Sequence, residues 1–462
     1  MIQQHIRPTA LGLSLGACLF SQAWAAEDDR REARGQAGAE GFVEGQSLSL
    51  RTRNFAALEQ AQDSNGFRIP KEDGSEFTHN RRTWVQGTLL KYSSGYTRGT
   101  VGFGLDVAGY HALSLERGKG VIAGGGGNRT LTDSDGNAVD EWSKLGIANL
   151  RLRVSSTELR GGRFQVDTPV FNSHDNRVLP ASFDGFALLS EELPGLALQA
   201  GSFTRASPRA GAGEEDLTTE YGTRLAKGDR YSYLGGSYKA PGGLSATLYG
   251  GHFEDIWNQY YLGLGHSMGD PQKLALRTRA NLYSTRDTGR RAAGYIDNDT
   301  WSLDFTLSRG AHSLMFGWQQ VEGDEYFDYV HETKAIHLSN VAFADYNGPN
   351  EKSAQLRYNT DWAAYGVPGL STSVWYVKGW DIDGTGYTGD RNGAYGNYAK
   401  GREQDGEKHR ELGLSAAYVV QNGALKRSHF RLMYVSHRAS QKQSNGSVDE
   451  LRLVSTFPFE LL

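Results

Sequence analysis

Nine arginines fall at alternate positions in segments whose intervening residues are largely apolar: Arg51, Arg53, Arg151, Arg153, Arg277, Arg279, Arg357, Arg431 and Arg452. A guanidinium stays charged, and its planar fork takes a carboxylate through two parallel hydrogen bonds, so a row of them along one face suits small anions. Against walls of low dielectric such a row focuses field lines and raises the local anion concentration. Pairing with wall carboxylates such as Asp106 or Asp304 is the plainer use for some of them. Opposite charge gathers between Gly323 and Lys334, where Asp324, Glu325, Asp328 and Glu332 surround Tyr329. A solvated loop face is the plainer use there.

Catalysis leaves no comparable mark. The chain has 12 histidines and many serines, but no G-x-S-x-G, no H-E-x-x-H and no Cys/His cluster spaced for a metal. No catalytic residue, metal or cofactor is therefore expected. With a net charge of −4, no basic excess points to nucleic acid.

The elements that must carry the arginines are strands. Leu48 and Leu50 alternate with Ser49, Arg51 and Arg53; Leu150, Leu152 and Val154 alternate with Asn149, Arg151 and Arg153. Val101 to Val107, Leu274 to Leu282, Trp301 to Leu307 and Leu314 to Trp318 repeat the pattern. Only Arg309 to His312 separates the last two runs, a hairpin length that parallel strands cannot use. Other short connections are expected at Ser93-Ser94-Gly95, Ala240-Pro241-Gly242-Gly243, Gly366 to Gly369 and Gln421-Asn422-Gly423. Long polar stretches lie between them, from Arg117 to Trp142, Thr204 to Asp229 and Asp381 to His409.

Short turns at one end and long polar loops at the other describe a bacterial outer-membrane barrel. Composition agrees, with 59 glycines, 23 tyrosines and 19 phenylalanines beside only 11 prolines. A mean hydropathy of −0.54 fits as well, since a lipid face alternating with a polar lumen never builds a long apolar run. The fold expected is all-β, a transmembrane antiparallel β-barrel of about 18 strands at roughly 24 residues per strand and connection. A soluble β-sandwich or propeller competes poorly, because no blade repeat is visible. Arginines are nearly absent from the lipid-facing parity of the segments compared, where one at the bilayer midplane would cost about 2–4 kcal/mol.

The N-terminus reads as a cleaved export signal. Arg7 precedes an apolar stretch from Thr9 to Phe20, and Ala23-Trp24-Ala25 supplies the small residues of a cleavage site. A cut after Ala25 removes the single cysteine, leaving residues 26–462 as one porin domain. At the other end Leu451, Leu453, Phe457, Phe459 and Leu461 share one parity, so the last strand closes the barrel and presents the signal to the barrel assembly machinery.

Four segments resemble the OprD family of substrate-specific outer-membrane porins: RGTVGFGLDVAGY (98 to 110), TELRGGRFQVDTPVFNSHDNRVLPASFDGF (157 to 186), DYNGPNEKSAQLRYNTDWAAYGVPGL (345 to 370) and ELRLVSTFPFELL (450 to 462). The resemblance implies an 18-stranded barrel with one narrow pore per chain, assembled as a loose homotrimer in lipid and lipopolysaccharide. It implies that residues 164 to 186 fold inward as a constriction loop, with Asn172, Asp175, Asn176 and Pro180 shaping it. It also implies a ladder of basic side chains, to which Arg53, Arg151, Arg431 and Arg452 match best, followed by Arg153, Arg160 and Arg357. Met433 and Ala417 stand where the family is often basic, which thins the ladder.

In the basic-amino-acid branch a loop carboxylate meets the cationic end of the substrate, and Asp328 matches it, helped by Asp324 or Glu325 and by Tyr329. Lys334 stands near a second acidic position and departs from that pattern. The function implied is diffusion of small carboxylate-bearing solutes, amino acids and related zwitterions first. An aromatic or organic-acid channel of the same family, a barrel-borne hydrolase with Ser and His at its rim, and a structural or adhesive barrel are the alternatives.

Overall fold

The computed structural model describes residues 35–462, apart from 63–65, 72–73, 117–130, 132–138, 223–224, 390–392, 396–402 and 444. The expected export signal, residues 1–25, lies outside the described residues, as does most of the polar stretch 117–142. Among the described residues eighteen strands form the wall. The first nine are β1 (Ser47–Ala61), β2 (Asn80–Ser93), β3 (Val101–Ser114), β4 (Glu141–Val154), β5 (Thr157–Phe164), β6 (Ser182–Leu193), β7 (Leu196–Ser207), β8 (Tyr231–Lys239) and β9 (Leu244–Phe253). The remainder are β10 (Trp257–Asp270), β11 (Leu274–Asp287), β12 (Asp297–Arg309), β13 (His312–Glu322), β14 (Lys352–Asp361), β15 (Leu370–Ile382), β16 (Glu407–Val419), β17 (His429–Ala439) and β18 (Val448–Glu460).

Each strand pairs antiparallel with its neighbours in sequence, and β18 pairs back onto β1 from Ser49↔Glu460 to Ala61↔Val448. Closure leaves no wall strand with an open edge, which is the condition for placing a sheet in lipid. The expected barrel is therefore the observed one.

Connections alternate in length around the ring. At the end where β1 begins they are tight: Ser155 at φ 52° turns β4 into β5, and Gly242 and Gly243, both at positive φ, turn β8 into β9. Between β14 and β15 a 3-10 turn, Trp362–Tyr365, is capped by the Asp361 carboxylate and ended by Gly366 at φ 85°. The opposite end carries long connections, 165–181, 208–230, 323–351 and 383–406, with the three-residue turn at 254–256 as an exception. By the rule for bacterial barrels the long end is external and the short end periplasmic.

Outward positions are apolar and exposed, including Leu150, Leu248, Phe305, Phe316, Leu414 and Leu453. Inward positions hold the core, and the core is inside the lumen rather than between layers. Phe171 on the 165–181 connection stacks on Phe203 at 5.0 Å and on Tyr231 at 4.7 Å, with Phe183 and Tyr233 completing the cluster. Trp257, Tyr283 and Phe327 continue it, so one aromatic cluster runs along the inner faces of β5 to β11. A second cluster seats Val178 and Leu179 against Phe55, Val85 and Leu89. Gly87 permits that approach, since a Cβ there would fall 2.6 Å from Val178 Cγ2.

Candidate pore and constriction

Register decides which cations share the lumen. Arg53 lies opposite Thr456, Phe55 opposite Val454, and Ala57 opposite Arg452, so the inner faces of β1 and β18 form one surface. On it Arg452 covers the Phe55 ring at 5.3 Å and bonds Glu450 at 2.7 Å. Arg431 on β17, opposite Val454, donates to Ser415 Oγ at 3.1 Å. Arg357 on β14 donates to Gln355 Oε1 at 3.0 Å and stacks over Trp375 at 5.2 Å. A hydroxyl, an amide, a carboxylate and two aromatic rings hold these guanidiniums in place.

The 165–181 connection folds into the barrel as expected. Tyr231 and Tyr283 donate to the carbonyls of Val170 and Pro169 at 2.7 and 2.9 Å, which pins one side. On the other, Arg53 takes both oxygens of Asp175, at 2.7 and 3.0 Å, and Arg51 stands 3.6 Å away. Burial opposes ionisation of Asp175, but Arg53 and Arg51 outweigh it and hold the carboxyl below its usual range. Asn176 accepts from Arg209 at 2.6 Å, and Pro180 is buried at the foot of the loop.

A second connection, 323–351, also folds inward and meets the first. Ser173 bridges to Thr333, and the Lys334 amide donates to the Asn172 carbonyl at 2.7 Å. Where they meet, Arg209 binds Glu332 at 2.7 Å and His331 binds Glu220 at 2.5 Å. Burial opposes charge on both members, yet Arg209 and His331 hold Glu332 down at about 2, while Glu220 and Glu332 lift His331 to about 8. Ligand atoms of Glu215, His331 and Glu332 lie within 4.8 Å of one another, a spacing that could hold a metal ion. Arg209 already neutralises Glu332, which weighs against a dication there.

Two cavities flank the meeting point. The larger, of about 550 Å³, opens toward the long loops and is lined by Arg53, Arg357, Arg431 and Arg452. The smaller, of about 300 Å³, lies toward the short turns and is lined by Arg51, Lys91, Glu158 and Arg160, the last two paired at 2.7 Å. Asn172, Ser173 and Asp175 line both, so they form the neck. Arg151 and Arg153 line neither. Arg151 bonds Asp106 at 3.2 Å, as a wall arginine does, and both stack on Tyr96 at 4.7 and 3.8 Å. Arg279 likewise pairs with Asp304 at 3.0 Å.

The acidic side is arranged differently from the sequence expectation. Asp328 is buried among the long connections, where it accepts from the amides of Glu220, Tyr221 and Tyr329 and from the Tyr395 hydroxyl. Burial pushes its carboxyl up to about 7 despite those donors. Asp324 is exposed at the rim and accepts from Asn350 at 2.8 Å, and Glu325 is buried against the Asp297 amide at 2.8 Å. Four carboxylates line the large cavity; Glu59, Asp175 and Glu450 are bound to Arg81, Arg53 and Arg452, whereas Asp345 is held by hydroxyls, its Oδ2 accepting from Tyr329 at 2.6 Å and Tyr221 at 2.7 Å. Neither bond falls on Oδ1.

Sequence reading missed Asp345, although it opens one of the quoted segments; without a fold, nothing distinguished it from other loop carboxylates. It also missed Arg81 and Arg177, which line the large cavity, and left Lys334 undecided where the structure sets it on the wall. Glu411 escaped notice as well. Its carboxylate accepts from the amides of Phe343 and Ala344 at 3.0 and 3.3 Å and from Trp375 Nε1 at 2.6 Å, which sets the turn before Asp345.

The chain matches the family model described as outer membrane porin, OprD family, over residues 40–461. It is 38% identical over 463 residues to Porin D of Pseudomonas aeruginosa, covering 98% of each chain. The crystal structure of Pseudomonas aeruginosa OccD3 (OpdP) shares 61% identity over 93% of this chain and 95% of that one, with a TM-score of 0.82. That of Pseudomonas aeruginosa OpdK with vanillate shares 32% identity over 91% of this chain and 100% of that one, with a TM-score of 0.77.

Proposed function

The chain belongs to the OprD family of outer-membrane porins, and on that premise we propose that it passes small carboxylate-bearing solutes, amino acids and related zwitterions first. As a family member it is a substrate-specific channel of the bacterial outer membrane. One arrangement carries the finer reading: Arg357, Arg431, Arg452 and Arg53 line the cavity that Asp345 enters from the inward loop. A carboxylate exchanges hydration for guanidinium forks, and an ammonium or guanidinium end finds Asp345 on the same cavity. A unit charge pair at about 4 Å is worth roughly 4 kcal/mol at an effective dielectric near 20, enough to offset much of the cost of shedding water.

Arg53, Arg160, Arg357, Arg431 and Arg452 serve as the basic path in this reading, while Arg151 and Arg153 brace the wall. Asp345 and Tyr329 take the role first expected of Asp328. The solute moves by diffusion, with no catalytic residue or cofactor. A cleaved signal over residues 1–25, insertion by the barrel assembly machinery and a loose homotrimer complete the proposal.

An aromatic-acid channel is the second reading. It is favoured by Lys334 on the cavity wall and by the vanillate in the OpdK structure. Comparing arginine with benzoate flux into proteoliposomes, for wild type and Asp345→Asn, separates the two. Arginine should lead in wild type and lose its lead in the variant. Faster benzoate flux from the start would place the chain with the second reading.

A further inference from the structure

Three cations stand in one row on the outside of the barrel. Strand register sets Lys378 on β15 directly opposite Arg410 on β16, and Arg410 directly opposite Arg438 on β17. All three have outward parity, since their strand neighbours Val377, His409, Glu411 and His437 are buried toward the lumen. Side chains so opposed have Cβ atoms about 4.5–5.5 Å apart, where like charges destabilise a sheet.

The row is unevenly compensated. Arg438 meets Asp449 at 2.8 Å, and Lys378 lies 5.9 Å from the centroid of the Trp380 ring. Arg410 is exposed, and among the described residues it takes no hydrogen bond or ion pair. Lys408, also exposed, follows on the same face of β16 one step toward the long loops. Two other outer-face cations at this end are paired: Arg286 meets Asp297 and Asp299 at 3.0 and 2.8 Å, and Arg82 meets Glu116 at 2.8 Å.

Depth assigns the row its surroundings. One step toward the barrel's middle, the same three strands present Tyr376, Leu412 and Ser436, and one step further Val374, Leu414 and Tyr434. Tyr376 and Tyr434 are exposed aromatics of the kind that mark a membrane boundary. The cations therefore sit at headgroup level on the external side, outside the lumen and apart from the passage.

We propose that Lys378, Arg410 and Arg438 bind the phosphate groups of the phosphorylated glycolipid that fills the external leaflet. A phosphate monoester carries about −1.5 to −2 charge and three strong acceptors, and the guanidinium fork matches it in shape. Bound there, it turns the like-charge repulsion of the row into attraction, while Leu412, Leu414 and Tyr376 offer apolar contact to the acyl chains beneath. Lys408 supplies a fourth cation for a second phosphate.

The test uses purified full-length protein in non-ionic detergent, with native mass spectrometry reading retained lipid. Bis-phosphorylated lipid A, the same lipid with its phosphates removed, and inorganic phosphate are offered in turn. Wild type should retain the phosphorylated lipid, and Lys378→Gln with Arg410→Gln should cut retention about tenfold with arginine flux unchanged. Charge-keeping Lys378→Arg with Arg410→Lys should restore retention. Equal retention of the dephosphorylated lipid, or full retention by the double glutamine variant, overturns the proposal. Displacement by inorganic phosphate at equal concentration assigns the row to free anions and overturns it too. If the glutamine variant fails to fold, the comparison of the two lipids on wild type decides alone.

Discussion

Arg53 and Asp175 meet fork to carboxylate, Nη1 to Oδ1 at 2.7 Å and Nη2 to Oδ2 at 3.0 Å, so a wall strand and a loop 122 positions later are joined by one bidentate pair. Asp175→Asn should weaken that join. Breaking a buried ion pair costs about 3–5 kcal/mol, and a lumen that admits water should reduce this to about 2–3 kcal/mol. A lower urea midpoint and a larger single-channel conductance are expected; unchanged conductance would mean that the loop keeps its place without the pair. Because the Asp175 pKa is depressed, its contribution is full above about pH 3.9 and is lost only as pH falls through the lower folded value.

The basic path divides into residues that line the cavity and residues that brace the wall. Arg431→Gln and Arg452→Gln should each lower flux of small carboxylates several-fold while sparing neutral sugars. Arg151→Gln should leave that ratio alone and cost stability, since it strands Asp106 in a buried pair. Liposome swelling with a charged and a neutral solute measures the ratio, and a selectivity loss at Arg151 matching that at Arg431 would refute the division.

Alkaline pH should loosen the meeting of the two inward loops. Asp328 sits near 7, raised by burial, so its penalty grows as pH climbs from about 3.9 through 7. His331 sits near 8, so the attraction it adds to Glu220 and Glu332 is present below its unfolded value and lost as pH rises through 8. Single-channel records between pH 6 and 9 should show more flicker at the alkaline end. Asp328→Asn and His331→Gln should each flatten part of the trend, and a flat wild-type trace would dismiss both groups as switches.

Glu411→Ala should leave the Phe343 and Ala344 amides without their acceptor, at about 1–3 kcal/mol per buried group. With the turn released, Asp345 loses its fixed station, and the arginine-to-benzoate flux ratio should fall toward that of Asp345→Asn. Should stability drop while the ratio holds, Glu411 is a strut and not a positioning residue.

Strands were legible because alternation is local: Arg51 and Arg53 declare the inner face of β1 through the leucines beside them. Closure was legible from the C-terminal parity of Leu451 to Leu461. The cavity was not, because lumen parity treats Arg151 and Arg431 alike, and only the path of the inward loops decides which of them faces water. Asp328 and Asp345 differ for the same reason. Both are loop carboxylates in sequence; burial of one and display of the other depend on Tyr221, more than a hundred positions away, which donates its amide to the first and its hydroxyl to the second.

The packed aromatic cluster on β5 to β11 divides labour around the circumference. Substitutions at Phe171, Phe203 or Tyr231 act on cohesion, those at Arg357, Arg431 or Arg452 on permeant chemistry, and those at Arg53 and Glu411, which also hold the inward loops, on both. A lineage could therefore retune what it admits at Arg357, Arg431 and Arg452 while the aromatic arc keeps the vessel rigid.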